Sequence, residues 1–229
     1  MAQRTVKAVV VLALLMAVLA GAAQASVQVI GTADINGMVT GCNLIYDTGG
    51  DGLSPFVWLD YSQAVERWVN QGFWASSLNT GSSNDPGYVT YYLNPGISMN
   101  WGGNWSLPTT IDDASSSAYP PAAGSSQMAH LYYTDLGNTS ASGLANKGPF
   151  INLVSDYYWS GTNDATNEHG AWAFSTDGGH QNSIDDASNL YALAVRPGQL
   201  EVVPEPSTYL LLGIALGVVG YARRRMSAR

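Results

Sequence analysis

The chain opens and closes on an apolar run flanked by basic residues, which leaves residues 26–203 to build a folded domain. Arg4 and Lys7 precede an almost wholly apolar stretch from Ala8 to Ala20, and Ala23-Gln24-Ala25 supplies a small-x-small site. In that order these features read as a secretory signal peptide, residues 1–25, cleaved after Ala25. At the other end Pro204-Glu205-Pro206-Ser207 precedes an apolar run from Tyr209 to Ala222, and Arg223-Arg224-Arg225 follows at once. Counted from Ser207, the run gives roughly 24 Å of helix at ~1.5 Å per residue. That is short of the ~30 Å hydrocarbon core, and snorkelling arginines make up the difference. The arginines keep the C-terminus in the cytoplasm and the domain outside. The expectation is a signal helix at the start and a transmembrane helix at the end.

The order Pro-Glu-Pro, short apolar run, arginine cluster resembles the PEP-CTERM sorting signal. The residues that carry it are Pro204, Glu205, Pro206, Arg223, Arg224 and Arg225, within 204–229. The resemblance implies an exosortase as partner, in a Gram-negative bacterium that makes an exopolysaccharide matrix. It implies a membrane-held intermediate at the inner membrane, removal of the tail, and a final place at the cell surface or in the biofilm matrix. A plain C-terminal anchor is the alternative.

Between the ends, three basic residues (Arg67, Lys147, Arg196) face sixteen acids, a net charge of −13 over residues 26–203. Nucleic-acid binding needs a basic face and is excluded on this balance. Charged residues are 11% of the chain, against about a quarter in ordinary soluble domains. Seven Trp, thirteen Tyr and 25 Gly argue for a rigid, turn-rich domain and against disorder. The single cysteine, Cys42, reads as a buried small hydrophobe or as a thiol for intermolecular pairing. It excludes a cysteine-based metal site.

Short strand-like segments occur at Met38-Val39-Thr40, Asn43 to Tyr46 and Phe56 to Leu59, and residues 26–44 read as lead-in strands. Tyr61, Ala64, Val65, Trp68, Val69, Gly72, Ala75 and Leu78 recur at helical spacing, with Asp60 and Gln63 placed as a capping-box variant. A second helix is predicted near Gln127–Leu136, ended by Gly137. Gly87–Pro95, Tyr157–Ser160, Ala171–Ser175 and Leu190–Val195 read as strands, and residues 199–203 as a linker. The pattern predicts a single α+β domain with two helices and a mostly antiparallel sheet of short strands.

Four ordered pieces carry a second resemblance. They are Trp58-Leu59-Asp60; Asn104-Trp105-Ser106-Leu107-Pro108-Thr109; His130 to Tyr133 with Leu136-Gly137-Asn138; and Tyr158 to Thr162 with Ala171-Trp172 and Tyr191 to Gly198. Together they resemble the Lcl C-terminal domain family over residues 45–198. The resemblance implies a C-type-lectin-like fold and a surface-exposed or adhesive role. Ser106 stands where that family usually has an arginine.

For chemistry, Trp58, Trp68, Trp159 and Trp172 sit on apolar segments and read as core. Trp101 and Trp105, with Asn104 among glycines, are the candidates for stacking on a sugar face. The ligand in view is an exopolysaccharide or surface glycan. Asp47 and Asp51, in Asp47-Thr48-Gly49-Gly50-Asp51-Gly52, are the candidate ligands for Ca²⁺, against a turn-capping role. The loop lacks EF-hand spacing, and no other cofactor is suggested. Asp112/Asp113 and Asp185/Asp186 form similar pairs; His130, His169 and His180 are scattered, His130 as a structural residue. No Gly-x-Ser-x-Gly elbow is present, and no carboxylate pair stands out as catalytic. The sequence therefore predicts a non-enzymatic exported protein that binds a glycan or another surface molecule. The alternatives are a purely structural matrix component or a secreted polysaccharide hydrolase.

Overall fold

The computed structural model describes residues 27–78, 82, 84–113 and 126–202. The predicted signal helix and tail helix lie outside the described residues. Among the described residues no helix is long and apolar enough to cross a membrane.

Among the described residues strand outweighs helix, 47% to 12%, so the α+β, C-type-lectin-like expectation is corrected to a mainly β domain. The elements are β1 (Val27–Ile35), β2 (Val39–Asp47), β3 (Phe56–Glu66), α1 (Trp68–Ser77), β4 (Val89–Leu93), β5 (Ile97–Trp101), α2 (Gln127–Ala129), a π-helical turn (His130–Asp135), β6 (Tyr157–Asn163), β7 (Gly170–Ser175), β8 (His180–Asp185) and β9 (Leu190–Val202). All nine strands join one sheet in the order β4-β1-β2-β3-β9-β6-β7-β8, with β5 paired to the far half of β9. Every pairing is antiparallel except β6 with β9.

The central strands are buried on both faces, and their alternating side chains feed two cores. Leu44, Val57, Leu59, Trp159, Ala192 and Ala194 point to one face, covered by Trp74, Ala75 and Leu78 of α1. Ile45, Phe56, Trp58, Tyr158, Leu193 and Val195 point to the other, covered by Met128, Leu131, Tyr132, Leu136 and Phe150. Gln71, fully buried in α1, donates to the carbonyls of Ala64 and Leu190 at 2.8 Å each, tying the helix to β3 and β9.

Two sequence expectations change. The helix predicted from Tyr61 begins only at Trp68, because Tyr61 to Glu66 continue β3. Register shifts after Leu59 and after Gln63 break the strand's alternation, and the broken period mimics helical spacing. Asp60 is accordingly no cap. It is a fully buried strand residue whose carboxylate accepts from Ile151 N (2.9 Å) and Asn152 N (3.0 Å). Burial pushes its carboxyl above the usual range, and those two bonds pull it back. Residues 199–202, read as linker, belong to β9: Leu200 pairs with Met99, and Val202 with Ile97.

Cys42 is 1% exposed, and its thiol donates to Ala33 O at 3.1 Å. Burial, with Asp60 nearby, pushes the thiol up to about 11. Since the thiolate is the nucleophile, iodoacetamide at pH 8 leaves Cys42 unlabelled in the folded protein and labels it in urea. Labelling of the native protein at the rate of a free thiol, read by mass spectrometry, overturns this expectation.

Candidate functional site

Two features stand on opposite faces of the sheet. The first is built around a buried imidazole. β2 ends at Asp47, and the glycine-rich turn to β3 folds back on it. Gly49 N donates to Asp47 Oδ1 at 2.8 Å, and Gly50 and Leu53 exchange backbone bonds of 3.2 and 2.7 Å. Asp51 sits at φ 53, the one non-glycine left-handed residue among those described, a conformation Asp tolerates better than most. The indole of Trp58 donates to Asp47 Oδ2 at 3.0 Å, fixing the carboxylate from behind.

His130 meets this turn from across the chain. Ser126 caps α2 by accepting from Ala129 N (3.2 Å), and the register then widens, with Leu136 N bonded to Leu131 O at 2.9 Å. On a regular α-helix, residues five apart lie about 140° apart. The widened turn brings His130 and Asp135 side by side, Nε2 to Oδ2 at 3.5 Å. Nε2 also faces Asp47 Oδ1 at 3.9 Å, while Nδ1 bonds Asp51 Oδ2 at 3.1 Å. The hydroxyl of Thr134 donates to that same Asp51 oxygen at 3.3 Å. The side chains of His130, Asp47 and Asp135 are 1, 0 and 0% exposed, and that of Asp51 36%. Gly50 closes the floor: a Cβ there would lie 3.3 Å from His130 Cε1, at a backbone φ of +136. One ligand atom each from Asp47, His130 and Asp135 lie within 4.8 Å of one another, the group that could hold a metal ion among the described residues.

The structure thus brings Asp47 and Asp51 together, as the sequence suggested, but on two edges of one imidazole. Asp51 engages the far nitrogen, so the pair does not face a common ion. His130 and Asp135 went unrecognised as partners of that loop. The signal available was their five-residue separation, which only a π-helical turn turns into a shared side.

The second feature is a groove of about 420 Å³ between α1 and the chain from Trp105 to Thr109. Trp68, Val69, Phe73 and Ser76 line one wall; Ser106, Leu107 and Thr109 line the other. Phe73 is 69% and Val69 51% exposed, while the half-buried Trp68 anchors its indole on Ser160 O at 2.8 Å. A helix apolar on its outer face as well as its inner one was the sequence clue.

The predicted sugar platform is not assembled. Trp105 is 2% exposed, with Nε1 donating to Tyr91 OH at 2.8 Å. The guanidinium of Arg196 lies over the Trp101 ring at 4.7 Å, held by Gly103 O (2.6 Å) and Tyr91 OH (2.9 Å). One ring is in the core and the other is capped by a cation; Asn104 is exposed beside them. Trp58, Trp159 and Trp172 are buried, and Trp68 is half-buried in the groove wall. The other acid pairs serve local structure: Asp112 accepts from the Trp172 indole at 2.9 Å, and Asp185 from Ala187 N at 2.9 Å.

Pro204, Glu205, Pro206, the three arginines and Ala25 lie outside the described residues. Residues 202–225 match the PEP-CTERM protein-sorting motif. No curated protein and no solved structure is significantly similar to the chain, and the Lcl C-terminal-type domain is not shown by these comparisons. The matched motif marks an exported protein that passes through the membrane for processing by an exosortase.

Proposed function

We propose that the chain is a non-enzymatic component of the surface or extracellular matrix of a Gram-negative bacterium, delivered by an exosortase and holding a glycan in the groove beside α1. The sorting motif at 202–225 carries the export and surface part of this reading. Before processing, the apolar run holds the chain at the inner membrane. The groove supports the binding part. Exposed Phe73 and half-buried Trp68 offer ring surface to the C–H face of a sugar, and the hydroxyls of Ser76, Ser106 and Thr109 stand within the same walls. A domain of net charge −13 favours a neutral or cationic polysaccharide over an anionic one.

A glycan array probed with the purified full-length protein tests the ligand. Binding is expected, and Phe73→Ala weakens it at least about ten-fold. The exposed ring leaves stability within about 0.5 kcal/mol. Absence of glycan binding, or binding indifferent to Phe73→Ala, replaces this reading with a purely structural matrix role.

A further inference from the structure

We propose that Asp47, His130 and Asp135 bind one divalent metal ion of the Zn²⁺ class. The site lies on the face opposite the groove and does not rest on glycan binding.

The two ring nitrogens of His130 meet different surroundings. A carboxylate only accepts hydrogen bonds, so the 3.1 Å contact with Asp51 requires the proton on Nδ1. A neutral ring then turns the lone pair of Nε2 inward. That atom is fully buried and has no hydrogen-bond partner. It looks at Asp135 Oδ2 and Asp47 Oδ1, at 3.5 and 3.9 Å. Three electron-pair donors converge on one point inside the protein, an arrangement that a cation among them would satisfy. A second proton on the ring supplies one positive charge against three carboxylates. A divalent ion supplies two and engages all three donors at once.

The surroundings match how proteins hold metals. The far nitrogen of the imidazole is oriented by the Asp51 carboxylate, which Thr134 also bonds, and the Asp47 carboxylate is oriented by the Trp58 indole and Gly49 N. Such outer bonds fix ring tautomer and ligand direction. The donor set also selects the ion. One imidazole and two carboxylates suit Zn²⁺ and its neighbours, whereas Ca²⁺ calls for six to eight oxygens. The predicted Ca²⁺ pair Asp47/Asp51 becomes, in this reading, one ligand and one group behind the histidine. The ion would tie the β2–β3 turn to the π-helical turn.

The full-length protein, stripped with a chelator, is dialysed against Zn²⁺, Mn²⁺ or Ca²⁺ and its bound metal measured by elemental analysis. One equivalent of Zn²⁺ is expected, with a raised melting temperature and Ca²⁺ at least ten-fold weaker. Asp135→Asn lowers Zn²⁺ affinity at least ten-fold, and Asp51→Asn lowers it about 10–100-fold. Because a variant at a buried position can fail to fold, the wild-type protein is also read by ¹⁵N NMR of its histidines, where Zn²⁺ must shift Nε2 of His130. Absence of a bound equivalent with an unshifted Nε2 overturns the proposal in favour of a doubly protonated ring. Equal affinity for Ca²⁺, or Zn²⁺ binding unchanged in both variants, overturns it as well.

Discussion

Replacing Pro204, Glu205 and Pro206 together with Ala abolishes removal of the tail, so that the full-mass protein accumulates in the cell fraction and the processed form disappears from the medium. The effect is all-or-none because the two halves of the tail do different work. The apolar run from Tyr209 to Ala222 favours lipid at about 0.8 kcal/mol per buried CH₂, and Arg223 to Arg225 resist translocation. Neither depends on the Pro-Glu-Pro segment, so the variant stays membrane-held. Proline lacks a backbone N–H and disfavours helix at the residue before it, so the substitution to Ala changes the matched motif and leaves the apolar run and the arginines as they are. Replacing the three arginines with Ser has the complementary outcome, weaker retention of the unprocessed chain. Triple-Ala protein processed at the wild-type rate, judged by mass in cell and medium fractions, overturns the sorting reading and leaves a plain anchor.

Trp159→Ala strongly destabilises the domain. Trp159 is fully buried on the α1 face, and its indole donates to Glu66 O at 3.0 Å. Truncating a buried Trp costs about 3–5 kcal/mol, and the lost donor leaves that carbonyl short of a partner. Domains of this kind are stable by only about 5–15 kcal/mol, so the loss takes a large share of the total. The urea midpoint, followed by circular dichroism, is expected to drop sharply, with Trp159→Phe intermediate. A loss under about 1 kcal/mol shows that Trp159 is not central to this core.

The parts of the fold legible in the sequence are those where burial leaves an uninterrupted apolar mark. Phe56 to Leu59 and Ala192 to Val195 are buried on both faces, and the segments that hold them read as strands at once. Ile97–Trp101 and His180–Asp185 went unread because polar residues interrupt each run: Ser98 and Asn100 in the first, Gln181, Asn182 and Ser183 in the second. The Tyr61–Glu66 stretch misled because bulges erase the period of two. The tail was the most legible element, since its meaning rests on order and charge along the chain. The imidazole cluster was legible only at Asp47 and Asp51. His130 and Asp135 reach them through tertiary packing and a widened helical turn, neither of which leaves a local pattern. The tryptophans near residue 100 misled for a related reason. Glycine neighbours suggest exposure, but Tyr91 and Arg196, distant in sequence, close over them.

The order in which the chain emerges gives β9 a further consequence. Among the described strands it is the last to be made, yet it lies in the middle of the sheet, between β3 and β6. Without it the order splits into β4-β1-β2-β3 and β6-β7-β8, each of which would present an unpaired inner edge. Pairings such as Phe56 with Pro197 are distant along the chain and slow to close. The nascent domain is therefore most exposed to aggregation and proteolysis during export. Its sheet closes only when residues up to Val202 have crossed, where the sorting motif begins. The residues that complete the sheet and those that carry the sorting motif are thus contiguous, so in a chain exported N-terminus first the motif follows directly on the strand that joins the two halves.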